Sequence, residues 1–140
     1  MIIKTLSKNP PKKANSHDAG VDLIAAEKAY IAPHQTKLVD VGLTIAIPEG
    51  YCGLVMSRSG LTFKGIVVAQ GVGLIDSGYR GPVKVLLLNT QSDHYNDYVV
   101  EVGDRIAQLV IIKHENVWFE TVDKLDDTSR GEGGFGSSGR

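Results

Sequence analysis

Between Lys37 and Ile47 the chain is apolar at every second residue, through Val39, Val41, Leu43, Ile45 and Ile47, with Asp40, Gly42 and Thr44 set between them. A period of two puts one kind of residue on each face and predicts a long half-buried strand, stopped by the turn Pro48-Glu49-Gly50. Shorter runs rich in Val, Ile and Leu predict further strands over Tyr51–Met56, Gly65–Val68, Val83–Leu88, Tyr98–Val102 and Ile106–Ile112. Only Ser59–Phe63 reads as a helical turn, with Ser59 as its cap. Pro33-His34 and Ser92–Asp97 read as loops. Many short strands with Gly, Pro, Asn and Asp between them indicate an all-β antiparallel sandwich or barrel rather than βαβ units. From Asp126 the apolar period vanishes, so the pattern divides the chain into a β-domain over 1–125 and an arm over 126–140.

Composition narrows the function. A chain of 140 residues makes one domain with a core that needs no staples. Its formal net charge of −1 offers no broad basic surface to duplex nucleic acid or to an anionic membrane. Cys52, the only cysteine, excludes an internal disulfide and a multi-cysteine zinc site. No run approaches the length of a membrane span, and Met1-Ile2-Ile3-Lys4 starts no signal peptide. A cytoplasmic protein is expected.

Five segments put polar or glycine residues where a plain sandwich has no need of them. In Asp18-Ala19-Gly20-Val21-Asp22-Leu23, Asp22 projects to the face opposite Val21 and Leu23. It is either a solvated carboxylate or an oxygen ligand for hydrated Mg²⁺. In Met56-Ser57-Arg58-Ser59-Gly60-Leu61 a strand runs into the helical turn, whose free N–H groups suit a phosphate alongside Arg58 and Ser59. A plain cap with an exposed arginine is the other reading. The run from Gly71 to Gly81 reads as a β-hairpin whose tip carries Asp76 and Tyr79. Asp76 is there either to form the turn or to act as a general base on water. Gln108 is a neutral amide in an otherwise apolar strand, so it is bonded to a loop or faces a polar cavity. Beside it, Asp104 and Arg105 read as a turn and a structural ion pair.

The fifth segment is the tail, Arg130 to Arg140, with five of the 16 glycines around Phe135, Ser137 and Ser138. Its composition suits a flexible linker, yet a linker has no need of an arginine fork or an aromatic face. It is no P-loop, for it lacks Gly-Lys-Ser/Thr.

In this order and at these spacings, the five segments resemble the five motifs of the homotrimeric dUTPases (deoxyuridine triphosphate nucleotidohydrolases). The match runs from about Ala19 to Gly139. The resemblance implies a jelly-roll β-sandwich or distorted barrel with a flexible C-terminal arm, assembled as a homotrimer with active sites shared between subunits. It implies hydrolysis of dUTP to dUMP and pyrophosphate, with Mg²⁺ on the triphosphate and Asp22 holding the metal through water. By the same carry-over Asp76 orients the attacking water, and Arg58, Ser59, Gly60 and Gln108 contact the phosphates. Tyr79 packs on the sugar and excludes a 2′-hydroxyl. Arg130 grips the γ-phosphate, Phe135 stacks on uracil, and Gly136, Ser137 and Ser138 wrap the phosphate chain. Gln70 stands where the family often has a uracil-contacting Asn, and with Gly73 it is a candidate for base recognition. Ser57 replaces the family's usual Pro, which implies a less rigid backbone there.

Two other readings compete. A dCTP deaminase shares the architecture but needs a glutamate in the strand after the third motif, and Val83–Asn89 holds no carboxylate. A catalytically idle binding protein has no chemical reason to keep Asp76, Arg58, Gln108 and Arg130 together.

Overall fold

The computed structural model describes residues 1–8, 10–92 and 97–134. Two four-stranded antiparallel sheets face one another. One has the order β1-β4-β8-β6, built from β1 (Lys4–Leu6), β4 (Thr36–Ala46), β8 (Val83–Asn89) and β6 (Ile66–Val68). The other runs β2-β10-β5-β7, from β2 (Val21–Ile24), β10 (Arg105–Lys113), β5 (Tyr51–Met56) and β7 (Val72–Ile75). A two-stranded ribbon pairs β3 (Ala29–Ile31) with β9 (Tyr98–Val100). The one described helix is α1 (Ser59–Thr62), so among the described residues no helix can cross a membrane. The architecture is a jelly-roll β-sandwich.

The alternation that predicted β4 is what fills the core. Val39, Val41, Leu43, Ile45 and Ile47 are all buried against Leu23, Val55, Val85, Leu87 and Leu109. Within β4 the pairing to β8 slips between Asp40 and Leu43, a bulge in which Gly42 takes φ +61° and its N–H donates to the Asp40 carboxylate. Asn89 is the one buried polar side chain among the described residues. It is matched on both ends, donating to the Ile31 carbonyl and accepting from the Gln91 N–H, so it ties the end of β8 to β3.

The short strands β1 and β3 were not expected, since each carries too few residues to show a period. Two expectations change. Ser59 is not the helix cap: Arg58 holds that position with extended backbone and no side-chain capping bond, and Ser59 opens the helix. Gly71–Gly81 is not a hairpin either. β7 pairs with β5 in one sheet while β8 pairs with β4 and β6 in the other, so residues 76–82 form a crossover between sheets. The physical reason lies in the crossover's own bonds, since the Ser77 and Tyr79 carbonyls are taken by the Arg80 guanidinium rather than by a facing strand. Beyond β10 the described residues 114–134 form neither helix nor strand.

Candidate active site

Cross-strand pairing brings the first, second and fourth segments together. Gln108 of β10 stands between Asp22 of β2 and Met56 of β5. Its side chain therefore sits beside the Asp22 carboxylate and the backbone leading into α1. Gln108 Nε2 donates to the Ser57 carbonyl at 2.9 Å. The half-buried amide fills both roles open to it, bonding a loop and lining a cavity of ≈ 490 Å³ with Asp22, Arg58, Ser59, Gly60 and Arg105.

Asp22 is held by two guanidinium groups. Arg58 Nε lies 2.8 Å from one carboxylate oxygen and Arg105 Nη1 lies 3.5 Å from the other. Arg58 also donates to the Arg105 carbonyl at 3.1 Å. Arg105 thus pairs with Asp22 rather than with its neighbour Asp104, whose carboxylate instead accepts the Glu101 N–H across a turn. Sequence reasoning gave Arg105 no place in the site. The signal is a two-strand register that no single segment displays.

The backbone at this cavity is fixed from below. The Ser57 hydroxyl accepts the N–H of Val68 at 2.8 Å, tying the approach to α1 onto β6. Replacement of the family's proline therefore supplies a bond that proline cannot make. A Cβ added to Gly60 meets nothing within 4 Å, so the fold makes no demand for glycine there and the space lies open. The amides of Ser59 and Gly60, the first helical residues, have no acceptor within the helix.

Asp76 and Tyr79 occupy a different place. They line a second cavity of ≈ 320 Å³ with Leu38, Leu74, Pro82 and Lys84. Apolar walls beside one carboxylate and one phenol suit a nucleoside more than a phosphate chain. Gln70 and Gly73 line neither cavity, although the Gln70 side-chain oxygen lies 3.9 Å from a Cβ built on Gly73. Arg130 also lies outside both, with its Nε donating to the Gly133 carbonyl at 2.9 Å in an exposed turn. Phe135, Gly136, Ser137 and Ser138 fall outside the described residues.

The chain matches known proteins over nearly its whole length. The family model for dUTPase matches residues 7–139. A deoxyuridine 5′-triphosphate nucleotidohydrolase from Corynebacterium glutamicum is 49% identical, over 93% of this chain and 87% of that protein. A mutant dUTPase of Staphylococcus bacteriophage 80alpha, solved with dUpNHpp, superposes with a TM-score of 0.91 at 30% identity, covering 99% of each chain. A mutant dUTPase from phage phi11 of S. aureus, whose structure reveals the coordination of a structural Mg(II) ion, gives a TM-score of 0.81 at 27% identity over 91% of this chain and all of that one. With both cavities built by the segments that carry the resemblance, the chain belongs to the dUTPase family.

Proposed function

We propose that this chain performs the family reaction in a homotrimer whose sites draw on more than one subunit. The reaction is hydrolysis of dUTP to dUMP and pyrophosphate, which limits uracil incorporation into DNA and supplies dUMP for dTMP synthesis. The observation that carries the shared-site reading is the direction of one strand pair. In the antiparallel β5–β7 ladder Met56 faces Val72 and Gly53 faces Ile75. Arg58 follows one end and Asp76 follows the other. At ~3.3 Å per residue the two are separated by roughly 20 Å along the ladder. A general base must lie within a water's reach of the atom under attack, so Asp76 serves the phosphate cavity of another copy. Such a contact is heterologous and closes into a ring.

Exposed apolar surface supports the same assembly. Trp118 and Phe119 are 91% and 97% exposed on the segment after β10. Adjacent bare aromatics are a liability on a monomer and an anchor on an assembled one. Residues 126–140 then act as an arm that leaves the β-domain and closes over a site.

In the assembled site Asp76 orients and deprotonates the water that attacks the α-phosphorus. Arg58, the Ser59 hydroxyl, the α1 amides and Gln108 hold the non-bridging oxygens and favour the charge that builds as pyrophosphate leaves. Tyr79 packs on the deoxyribose, while Gln70 and Gly73 stand as candidates for reading the base. Arg130 pairs with the γ-phosphate, Phe135 covers uracil, and Gly136, Ser137 and Ser138 wrap the chain of phosphates. Among the described residues no group of three or more His, Cys, Asp or Glu could hold a metal. Asp22, which lines the cavity together with Asp18, suits a Mg²⁺ that would take its other oxygens from substrate and water. That ion, when bound, neutralises charge on the triphosphate. We place the reaction in the cytoplasm, or in a host's cytoplasm for a viral source, with no membrane or nucleic-acid partner.

The test is pyrophosphate release from dUTP with Mg²⁺, run beside dTTP, dCTP and UTP. Rapid release from dUTP alone is expected, whereas ammonia from dCTP or equal turnover of all four would sink the reading.

A further inference from the structure

The crossover after Asp76 is bonded to itself far more than a connection between sheets needs. The Tyr79 N–H donates to the Asp76 carbonyl at 3.1 Å and closes a turn. Arg80 Nη1 lies 2.6 Å from the Ser77 carbonyl and 2.7 Å from that of Tyr79, bridging the two. The Tyr79 hydroxyl donates to the Pro82 carbonyl at 2.9 Å. A Cβ built on Gly81 would meet the Tyr79 hydroxyl oxygen at 2.5 Å, Cζ at 2.7 Å and Cε2 at 3.0 Å. The ring therefore lies against the backbone of Gly81, and any side chain there displaces it. Every one of these contacts runs between residues 76 and 82. They fix the loop's own shape, the Arg80 bonds holding the backbone on either side of Tyr79 and the Pro82 and Gly81 contacts holding its ring.

That ring is still 44% exposed and forms a wall of the ≈ 320 Å³ cavity shared with Asp76. A tyrosine on a mobile loop can swing to another staggered rotamer and make room for one more hydroxyl group. A ring bonded at its tip and seated on a glycine cannot swing without breaking those contacts. We propose that Arg80 and Gly81 are specificity-determining positioning residues, which lock the Tyr79 ring so that the cavity wall does not yield to a ribose 2′-hydroxyl. The inference rests on Tyr79 being the residue against the sugar. Neither Arg80 nor Gly81 touches substrate in this scheme, and both act through the ring.

The experiment measures kcat/KM for dUTP and for UTP by pyrophosphate release, in the wild type and in Tyr79→Phe, Arg80→Ala, Gly81→Ala and Tyr79→Ala. Tyr79→Phe keeps the ring and loses only its tether. Loss of one neutral hydrogen bond, ~1 kcal/mol, lowers the dUTP/UTP ratio about fivefold. A similar fall is expected for Arg80→Ala, mostly through faster use of UTP, and a larger one for Gly81→Ala. Loss of dUTP turnover with an unchanged ratio in both Tyr79→Phe and Arg80→Ala would make the contacts merely structural and overturn the lock. Those two variants decide the matter if Gly81→Ala does not fold. Tyr79→Ala separates the two layers of the argument. An unchanged ratio in that variant removes Tyr79 from the sugar and the proposal with it. A collapsed ratio there, with the wild-type ratio kept in the other three, leaves Tyr79 in place and removes only the lock.

Discussion

At the scale of single residues, the two cavities assign different tasks to groups that look alike in sequence. Asp22 is engaged by two arginines, whereas Asp76 stands exposed at the end of β7 with no ion-pair partner among the described residues. Replacing Asp76 with Asn keeps the shape and removes the base, so kcat is expected to fall by roughly 10²–10⁴ with analogue binding retained. Full turnover in that variant would exclude Asp76 as the base. Gly60→Ala adds a methyl group where the chain itself has nothing within 4 Å. An unchanged melting temperature with a raised KM for dUTP is the expected outcome, and a KM equal to wild type would show that the open space is not used. Ser57→Ala strands the Val68 N–H and costs ~1–3 kcal/mol in thermal melts. Asp22, Arg58, Asp76 and Gln108 stood out in the sequence as polar residues in runs that otherwise read as core or turn, but each also allowed a plain structural reading, and only the order and spacing of the five segments assigned them roles. Arg105 was not legible, because its partner Asp22 lies 83 positions earlier and only the β2–β10 register joins them.

At the scale of elements, β4 could be read directly, since the alternation from Val39 onward leaves little choice of face. Strands of three residues, such as β1 and β3, give no period to detect. The hairpin expectation failed for a different reason. Neighbours in sequence usually pair, but the jelly-roll sends β7 and β8 to opposite sheets. The β3–β9 ribbon yields a pH prediction of its own. The Lys28 ammonium, just before β3, is raised above the ordinary lysine value by its hydrogen bond to Glu101, and then by that to Tyr30. Tyr98 on β9 is raised first by burial and then by the charge of Asp104. In each case the fold favours the protonated form. That contribution is complete below the ordinary values and is lost as pH rises through the folded ones. Because the Lys28–Glu101 pair lies at the surface and is screened by water, Tyr98 dominates. Melting temperature should therefore fall above about pH 10, and fall less steeply in Tyr98→Phe. Superimposable alkaline profiles for the two proteins would contradict this assignment.

At the scale of the whole molecule, the prediction concerns which copies supply which half of a site. Arg58→Ala and Asp76→Asn chains are each expected to be inactive alone. Mixed and reassembled in equal amounts, they form sites with Arg58 from one chain and Asp76 from the other. Activity should then recover to roughly a quarter of wild type for a head-to-tail ring. No recovery would place both groups in one subunit's site. Removing residues 130–140 takes away Arg130 and the aromatic cover but leaves every described strand. The shortened chain is expected to assemble normally by light scattering and to hydrolyse dUTP only feebly. Turnover equal to the full chain would reduce the tail to a linker.

The segment after β10 also carries an optical consequence. Trp118 is the only tryptophan in the chain, and it sits almost wholly in water on a stretch that assembly is expected to cover. Its emission spectrum is therefore a built-in gauge of association, free of other indole signals. On dilution from the oligomer to the single chain the maximum should move to longer wavelength, and the concentration at the midpoint of that change reports the strength of the assembly without any added label.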